Sequence, residues 1–154
     1  MFERLARTAR TAVEDARFEA ARRGDRRIGT DHLLLALLHD DALAQIVGVD
    51  VAAAHDAADQ LDRTALAAIG LTLGEFRPSG SAAFGTPVSR MTSGAKTVLQ
   101  KSLANAAAEK AREITARHML LAVLDSREPD AAATLLAALP VDRSAVRERL
   151  AATA

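Results

Sequence analysis

Apolar residues recur three or four positions apart at the start of the chain: Leu5, Ala9, Ala12, Ala16 and Ala20, with Val13 at the margin. Arg4, Arg7, Arg10, Glu14, Arg17 and Arg22 fall largely elsewhere around the same wheel. That period predicts a helix over about 3–23, closed by Gly24. Its stripe is mostly alanine, and small side chains let helix axes approach closely. Phe18 points away from the stripe and reads as a surface aromatic. A second helix is expected over about 31–39, capped by Thr30 or Asp31, with Leu34, Leu35, Leu37 and Leu38 facing the core. A short helix near 42–47 ends at Gly48. Asp50 caps an Ala-rich helix over about 51–69 that Gly70 closes.

Residues 71–91 break the rhythm. Gly74, Pro78, Gly80, Gly85 and Pro87 deny the stretch regular structure, while Phe76, Phe84 and Val88 lie within it. Helical spacing then resumes. Thr92 or Ser93 caps a helix over about 93–111, and a sixth helix covers about 116–125. The seventh has Pro129 in its first turn and runs to about Leu139. Asp142 caps the last, over about 143–152. The expectation is all-α, with eight helices and no strand.

The pattern occurs twice. Ile28-Gly29-Thr30-Asp31-His32-Leu33-Leu34-Leu35-Ala36-Leu37-Leu38 is matched 86 positions later by Ile114-Thr115-Ala116-Arg117-His118-Met119-Leu120-Leu121-Ala122-Val123-Leu124. At that offset 5–38 lies on 91–124 without a gap. A duplicated unit fixes the architecture: two pseudo-symmetric four-helix repeats in one domain of 154 residues, with repeat one at 1–70, a connector at 71–91 and repeat two at 92–154.

Composition narrows the function. Lys+Arg and Asp+Glu are both 20, so the formal charge is zero. That argues against a general nucleic-acid or anionic-membrane binder, which would carry a basic excess. The absence of Cys removes disulfides, thiolate chemistry and Cys-ligated metal. The start, Met1-Phe2-Glu3-Arg4, is charged rather than signal-like, and Leu33–Leu38 is far too short to span a bilayer, so a cytoplasmic location is expected.

Candidate chemistry is sparse. His32 and His118 open equivalent helices, and each is expected to pack partly in the core and bond to backbone; an enzyme using them is the alternative. No H-x-x-x-H or H-E-x-x-H spacing accompanies them, and no metal is expected. His39 and His55 read as surface residues. Arg22, Arg23, Arg26 and Arg27 cluster around Gly24 and are expected to pair with nearby Asp residues. There is no G-x-S-x-G elbow and no G-x-x-x-x-G-K-[ST] phosphate loop. Neither a catalytic residue nor a cofactor is expected.

Phe2-Glu3-Arg4, Ile28-Gly29-Thr30-Asp31-His32-Leu33-Leu34-Leu35, Pro78-Ser79-Gly80, Ala95-Lys96-Thr97-Val98-Leu99 and Arg117-His118-Met119-Leu120-Leu121 together resemble the Clp repeat N-domain of ClpC-type unfoldases. The resemblance covers essentially the whole chain. Asp31 stands where that family usually has Glu, and Thr115-Ala116-Arg117-His118 stands where it repeats Gly-Thr-Glu-His. The resemblance implies two four-helix repeats and a standalone or excised N-domain without AAA+ rings. It implies partners of the Clp system: adaptors, substrates or the unfoldase, and cyclomarin-type cyclic-peptide antibiotics. It places their binding on an apolar patch at Phe2 and Val13, with Phe84 or Met91 as the connector's contact. It also implies a phosphoarginine acceptor at Asp31, weakened by the shorter side chain, and none at Arg117, which would repel a guanidinium. The role implied is that of a decoy or regulator. The alternative is an adaptor delivering clients to a Clp ATPase.

Overall fold

A computed structural model of the chain describes residues 2–72 and 88–154, Phe2 by its backbone alone. Among these, eight α-helices follow a short 3-10 helix, Phe2–Arg4. They are α1 (Arg7–Arg22), α2 (Thr30–Leu37), α3 (Asp41–Val47), α4 (Val51–Ala68), α5 (Ser93–Ala108), α6 (Ala116–Leu124), α7 (Ala131–Ala138) and α8 (Arg143–Ala151). The all-α class and the two sets of four agree with the sequence pattern.

Several ends form as the side chains require. Asp40, Asp50, Thr92, Asp130 and Asp142 each accept a hydrogen bond from a backbone N–H in the first turn of the helix that follows, satisfying donors that have no partner within the helix. Three ends differ from expectation. The first helix starts at Arg7 because the backbone of residues 4–6 is bonded elsewhere. Pro129 precedes α7 rather than entering it, since Asp130 takes the cap. Neither Thr30 nor Asp31 caps α2: Gly29 holds that position, and the His32 ring, not a hydroxyl or carboxylate, accepts its N–H at 2.8 Å.

The core is aliphatic. Leu33, Leu34, Leu35, Ala36, Leu37 and Leu38 are all buried, so α2 is apolar all round and sits inside the domain. Its counterpart α6 buries Met119, Leu120, Ala122, Val123 and Leu124. The Ala stripe of α1 (Ala9, Ala12, Ala16, Ala20) is fully buried where α1 packs on α2.

Two backbone bridges tie the repeats together, and each crosses between them. Ala6 N–H donates to Ile114 O (2.8 Å) and Ile114 N–H to Arg4 O (2.8 Å). Ile28 N–H donates to Arg90 O (2.8 Å) and Thr92 N–H to Ile28 O (2.9 Å). Leu5 and Met91 correspond at the 86-residue offset, as do Ile28 and Ile114, so the parallel bridges Leu5–Ile114 and Met91–Ile28 are one contact made twice. Each repeat donates its leading segment to the other. The close approach has a steric signature: a Cβ on Gly94 would lie 3.0 Å from Asp130 Oδ2 and 3.2 Å from Thr30 Cγ2. On the mirror side Thr8 faces the smaller Ala116, whose N–H donates to the Thr8 hydroxyl at 3.2 Å.

Candidate functional site

The crossed bridges leave a notch beside each of them. The first, about 550 Å³, is lined by Leu5, Val13, Ile28 and Met91, with Glu3, Arg10, Glu14 and Arg17 at its rim. α1 supplies Val13, the two bridges supply Leu5 on the one hand and Ile28 with Met91 on the other, and the segment before α5 closes the side. Arg17 fixes that segment through Nε to the Val88 carbonyl at 2.9 Å, and Arg10 Nε holds the Leu5 carbonyl at 3.0 Å. The rim guanidiniums are therefore tied to backbone and leave the floor apolar. Val13 and Met91, two of the residues expected to bind ligand, come together here. The side chain of Phe2, and Phe84 altogether, lie outside the described residues.

A second notch of about 700 Å³ is lined by Arg27, Ser89, Arg90, Met91, Lys96, Leu99 and Gln100. Met91, Lys96, Leu99 and Gln100 are the 86-residue counterparts of Leu5, Arg10, Val13 and Glu14. The two notches are thus pseudo-symmetric mates that share Met91. The first has a rim of both signs. In the second every charged side chain is basic.

The paired histidines are internal struts. Each ring is 3% exposed. His32 Nδ1 accepts from Gly29 N–H (2.8 Å), and His118 Nδ1 from Thr115 N–H (2.9 Å). An acceptor Nδ1 leaves the proton on Nε2, which reaches Asp25 at 2.7 Å from His32 and Glu109 at 3.0 Å from His118. Both ring nitrogens of each are satisfied within the protein.

Both carboxylates are held below their ordinary pKa. For Asp25 the hydrogen bond from His32 is the largest cause; burial opposes it, and the Arg23 guanidinium adds to the lowering. For Glu109 the bond from Arg117 leads, burial again opposes, and His118 assists.

Solved structures share this architecture. The N-terminal domain of the caseinolytic protease-associated chaperone ClpD from Arabidopsis thaliana superposes with a TM-score of 0.71 at 16% identity, covering 99% of this chain and 96% of that one. The chain has the fold of a Clp chaperone N-terminal domain. A chain from structural investigations of a malarial protein secretion system superposes at 0.63, also at 16% identity, covering 97% of this chain and 94% of that one. No family model matches the sequence, and no curated protein does. At this identity the Clp N-domain likeness rests on backbone geometry. No helix among the described residues is long and apolar enough to cross a membrane.

Within the Clp N-domain fold, Asp31 lies at the edge of a third cleft of about 550 Å³ that also meets Arg26, Arg27, Thr30 and Asp130. Its Oδ2 already accepts from Arg23 at 3.2 Å, and Arg23 reaches Asp62 at 2.7 Å. An incoming guanidinium would have to displace that partner. In the second repeat Arg117 is clamped by both oxygens of Glu109 (2.9 and 2.8 Å) and donates to Leu150 O.

Sequence reading missed one cluster. His39 and His55 do not stand alone on the surface: both reach Glu19, a carboxylate only 4% exposed. Glu19 lies one position before Ala20 of the α1 stripe, and a carboxylate on that face was the signal for it.

Proposed function

We propose that the chain is a non-catalytic protein- and peptide-binding module of the Clp system, receiving its ligand in the first notch. The observation that carries this reading is the meeting of Val13, held on α1, and Met91, held by its backbone bridge to Ile28, on one apolar floor. A preformed apolar concavity with charged margins suits one or two anchoring side chains. Fully burying one leucine-sized anchor contributes about 1.5–3 kcal/mol before the cost of association. The notch alone therefore supports modest affinity, as befits a surface that captures and releases. Adaptors, substrates and cyclomarin-type cyclic peptides all offer such anchors. Occupying these partners is the role of a decoy or regulator.

The test is titration with a cyclomarin-type cyclic peptide, followed by methyl resonances. Shifts are expected at Val13 and Met91, and Met91→Asp should weaken binding by about tenfold or more, since 1.4 kcal/mol is a factor of ten. Unmoved Val13 and Met91 resonances would sink the reading. Recovery of a Clp ATPase as the main bound protein would favour the adaptor role over the decoy. Phosphoarginine capture at Asp31 is a second, weaker reading, because Arg23 competes for the carboxylate. Free phosphoarginine should perturb Asp31 more strongly in Arg23→Ala than in the parent.

A further inference from the structure

Glu19 on α1, His39 just after α2 and His55 on α4 bring three ligand atoms within 4.8 Å of one another. His39 Nε2 lies 2.7 Å from Glu19 Oε1, and His55 Nε2 lies 3.0 Å from each Glu19 oxygen. The imidazole rings meet edge to face, with centroids 6.3 Å apart. Glu19 is buried, whereas the side chains of His39 and His55 are 42% and 22% exposed. The group is thus anchored inside and open outside.

The scaffold does not require this arrangement. At the 86-residue offset Glu19 becomes Asn105 and His39 becomes Asp125. Asn105 simply donates to the His118 carbonyl at 3.2 Å, and Asp125 pairs with Arg147 at 2.7 Å. The same helix junction is therefore built in the second repeat without a buried carboxylate. Repeat one instead carries a charged group into the interior, which is costly unless it is paired, and aims the same nitrogen of two imidazoles at it.

We propose that Glu19, His39 and His55 form a binding site for a divalent transition-metal ion, zinc foremost. Two imidazole nitrogens and one carboxylate oxygen are a borderline donor set suited to zinc and its neighbours, and not to magnesium or calcium, which prefer oxygen. Metal–ligand bonds of about 2.0–2.1 Å in a tetrahedron separate the ligand atoms by about 3.3 Å. The Glu19–His39 and Glu19–His55 contacts of 2.7 and 3.0 Å need to widen by roughly 0.3–0.6 Å, and the two imidazole nitrogens, within 4.8 Å of each other, need to settle at the same separation, which the half-exposed His39 can supply by turning. Each ring gives its Nε2 to the metal and carries its proton on Nδ1. The fourth position faces solvent and takes water. Arg22 Nε stands 3.5 Å from Glu19 Oε2, so that oxygen stays with the guanidinium while Oε1 turns to the ion. Bound metal would pin α1, the end of α2 and α4 together, on a face separate from the notch residues.

The test uses the full chain, stripped by a chelator and titrated with zinc. One ion per chain at micromolar affinity or tighter is expected, together with a raised Tm. Cobalt should give the visible absorption of a tetrahedral site. His39→Gln/His55→Gln, which keeps an N–H donor for the buried Glu19 so that circular dichroism should report an intact fold, should lower affinity by about 100-fold or more. No zinc bound at micromolar concentration, affinity unchanged in the double variant, or equal binding of magnesium would each overturn the proposal.

Discussion

The turn after α1 and the turn after α5 carry opposite charges on the same frame. Arg23 and Glu109 correspond, as do their partners Asp31 and Arg117. Repeat one joins them as Arg23–Asp31 at 3.2 Å, and repeat two as Glu109–Arg117 at 2.8 Å. The two guanidiniums are equally sheltered, at 14% and 15% exposure. The scaffold needs a bridge from the end of one helix to the start of the next, and the geometry is indifferent to its sign. The helix dipoles are not indifferent. Repeat one sets a cation at the C-terminus of α1 and an anion in the first turn of α2, both favourable. Repeat two reverses both, and offsets the loss with a two-pronged contact and a third bond from Arg117 to Leu150 O.

Beneath the inverted pair lies a part that did not change, the histidine strut, and breaking it should have the largest effect. His32→Ala and His118→Ala each delete a buried ring and strand a backbone N–H, which together cost about 2–4 kcal/mol. The two losses should agree to within about 1 kcal/mol if the struts are equivalent. Urea unfolding checks this. A loss at His118 much smaller than at His32 would show that the second repeat has stopped relying on its ring.

The charge pair itself offers a sharper cut. Arg117→Asp places a carboxylate against Glu109 and should cost about 1–2 kcal/mol at neutral pH. Adding Glu109→Arg restores the pair in repeat-one polarity yet strips His118 of its Nε2 acceptor. In repeat one that acceptor is a separate residue, Asp25, whose counterpart is Ala111. Ala111→Asp should therefore complete the rescue, and the triple variant should match or exceed the parent. The pH dependence gives a second reading. Glu109 is held low first by Arg117, so its contribution is present above the ordinary carboxylate pKa of about 4.3 and disappears as pH falls through the lowered folded value. The gap between parent and Arg117→Asp should narrow across that same fall. Equal gaps at pH 7 and pH 3 would assign the loss to packing instead.

How much of this was legible beforehand depended on whether the information was local. Caps at Asp50, Thr92 and Asp142, and stops at Gly24 and Gly48, act on their own neighbours and show in the residue types. The duplication showed in His32 and His118. What escaped needed a partner distant in sequence. The start of α1 was misplaced because Arg4 and Ala6 bond to Ile114, more than 100 positions away. His39 and His55 looked solitary because Glu19 meets them only in three dimensions. Asp31 was the opposite case: the basic cluster around Gly24 was expected to pair with nearby Asp residues, and Arg23 does take Asp31, eight positions on. The inverted pair was an intermediate case: the offset that matches the histidines also sets Arg23 on Glu109 and Asp31 on Arg117, so the compensation was written in the alignment but required reading two columns together.

The smallest effect tests whether the frame is shared down to its backbone. Gly24 and Lys110 correspond, and both have positive φ, 74° and 54°. The bonds around them agree as well: Gly24 N–H to Ala21 O and Lys110 N–H to Ala107 O are both 3.0 Å, and the next N–H reaches Ala20 O or Ala106 O at 2.9 Å. This is the left-handed helix stop that glycine fills without strain. Lysine holds it at a cost of about 1–2 kcal/mol for an L-residue in that region, partly recovered because glycine is freer in the unfolded chain. Lys110→Gly should therefore stabilise the protein by about 0.5–1 kcal/mol. Gly24→Ala should destabilise by a similar amount, and for backbone reasons alone, since an added Cβ there meets nothing within 4 Å. Opposite signs of similar size, read as shifts in the urea midpoint at constant slope, would mean that both repeats impose the same turn and that only repeat one has the residue suited to it. A neutral Lys110→Gly would mean that the lysine side chain compensates the strain through contacts that glycine lacks, and the two turns would then be alike in shape but not in what holds them.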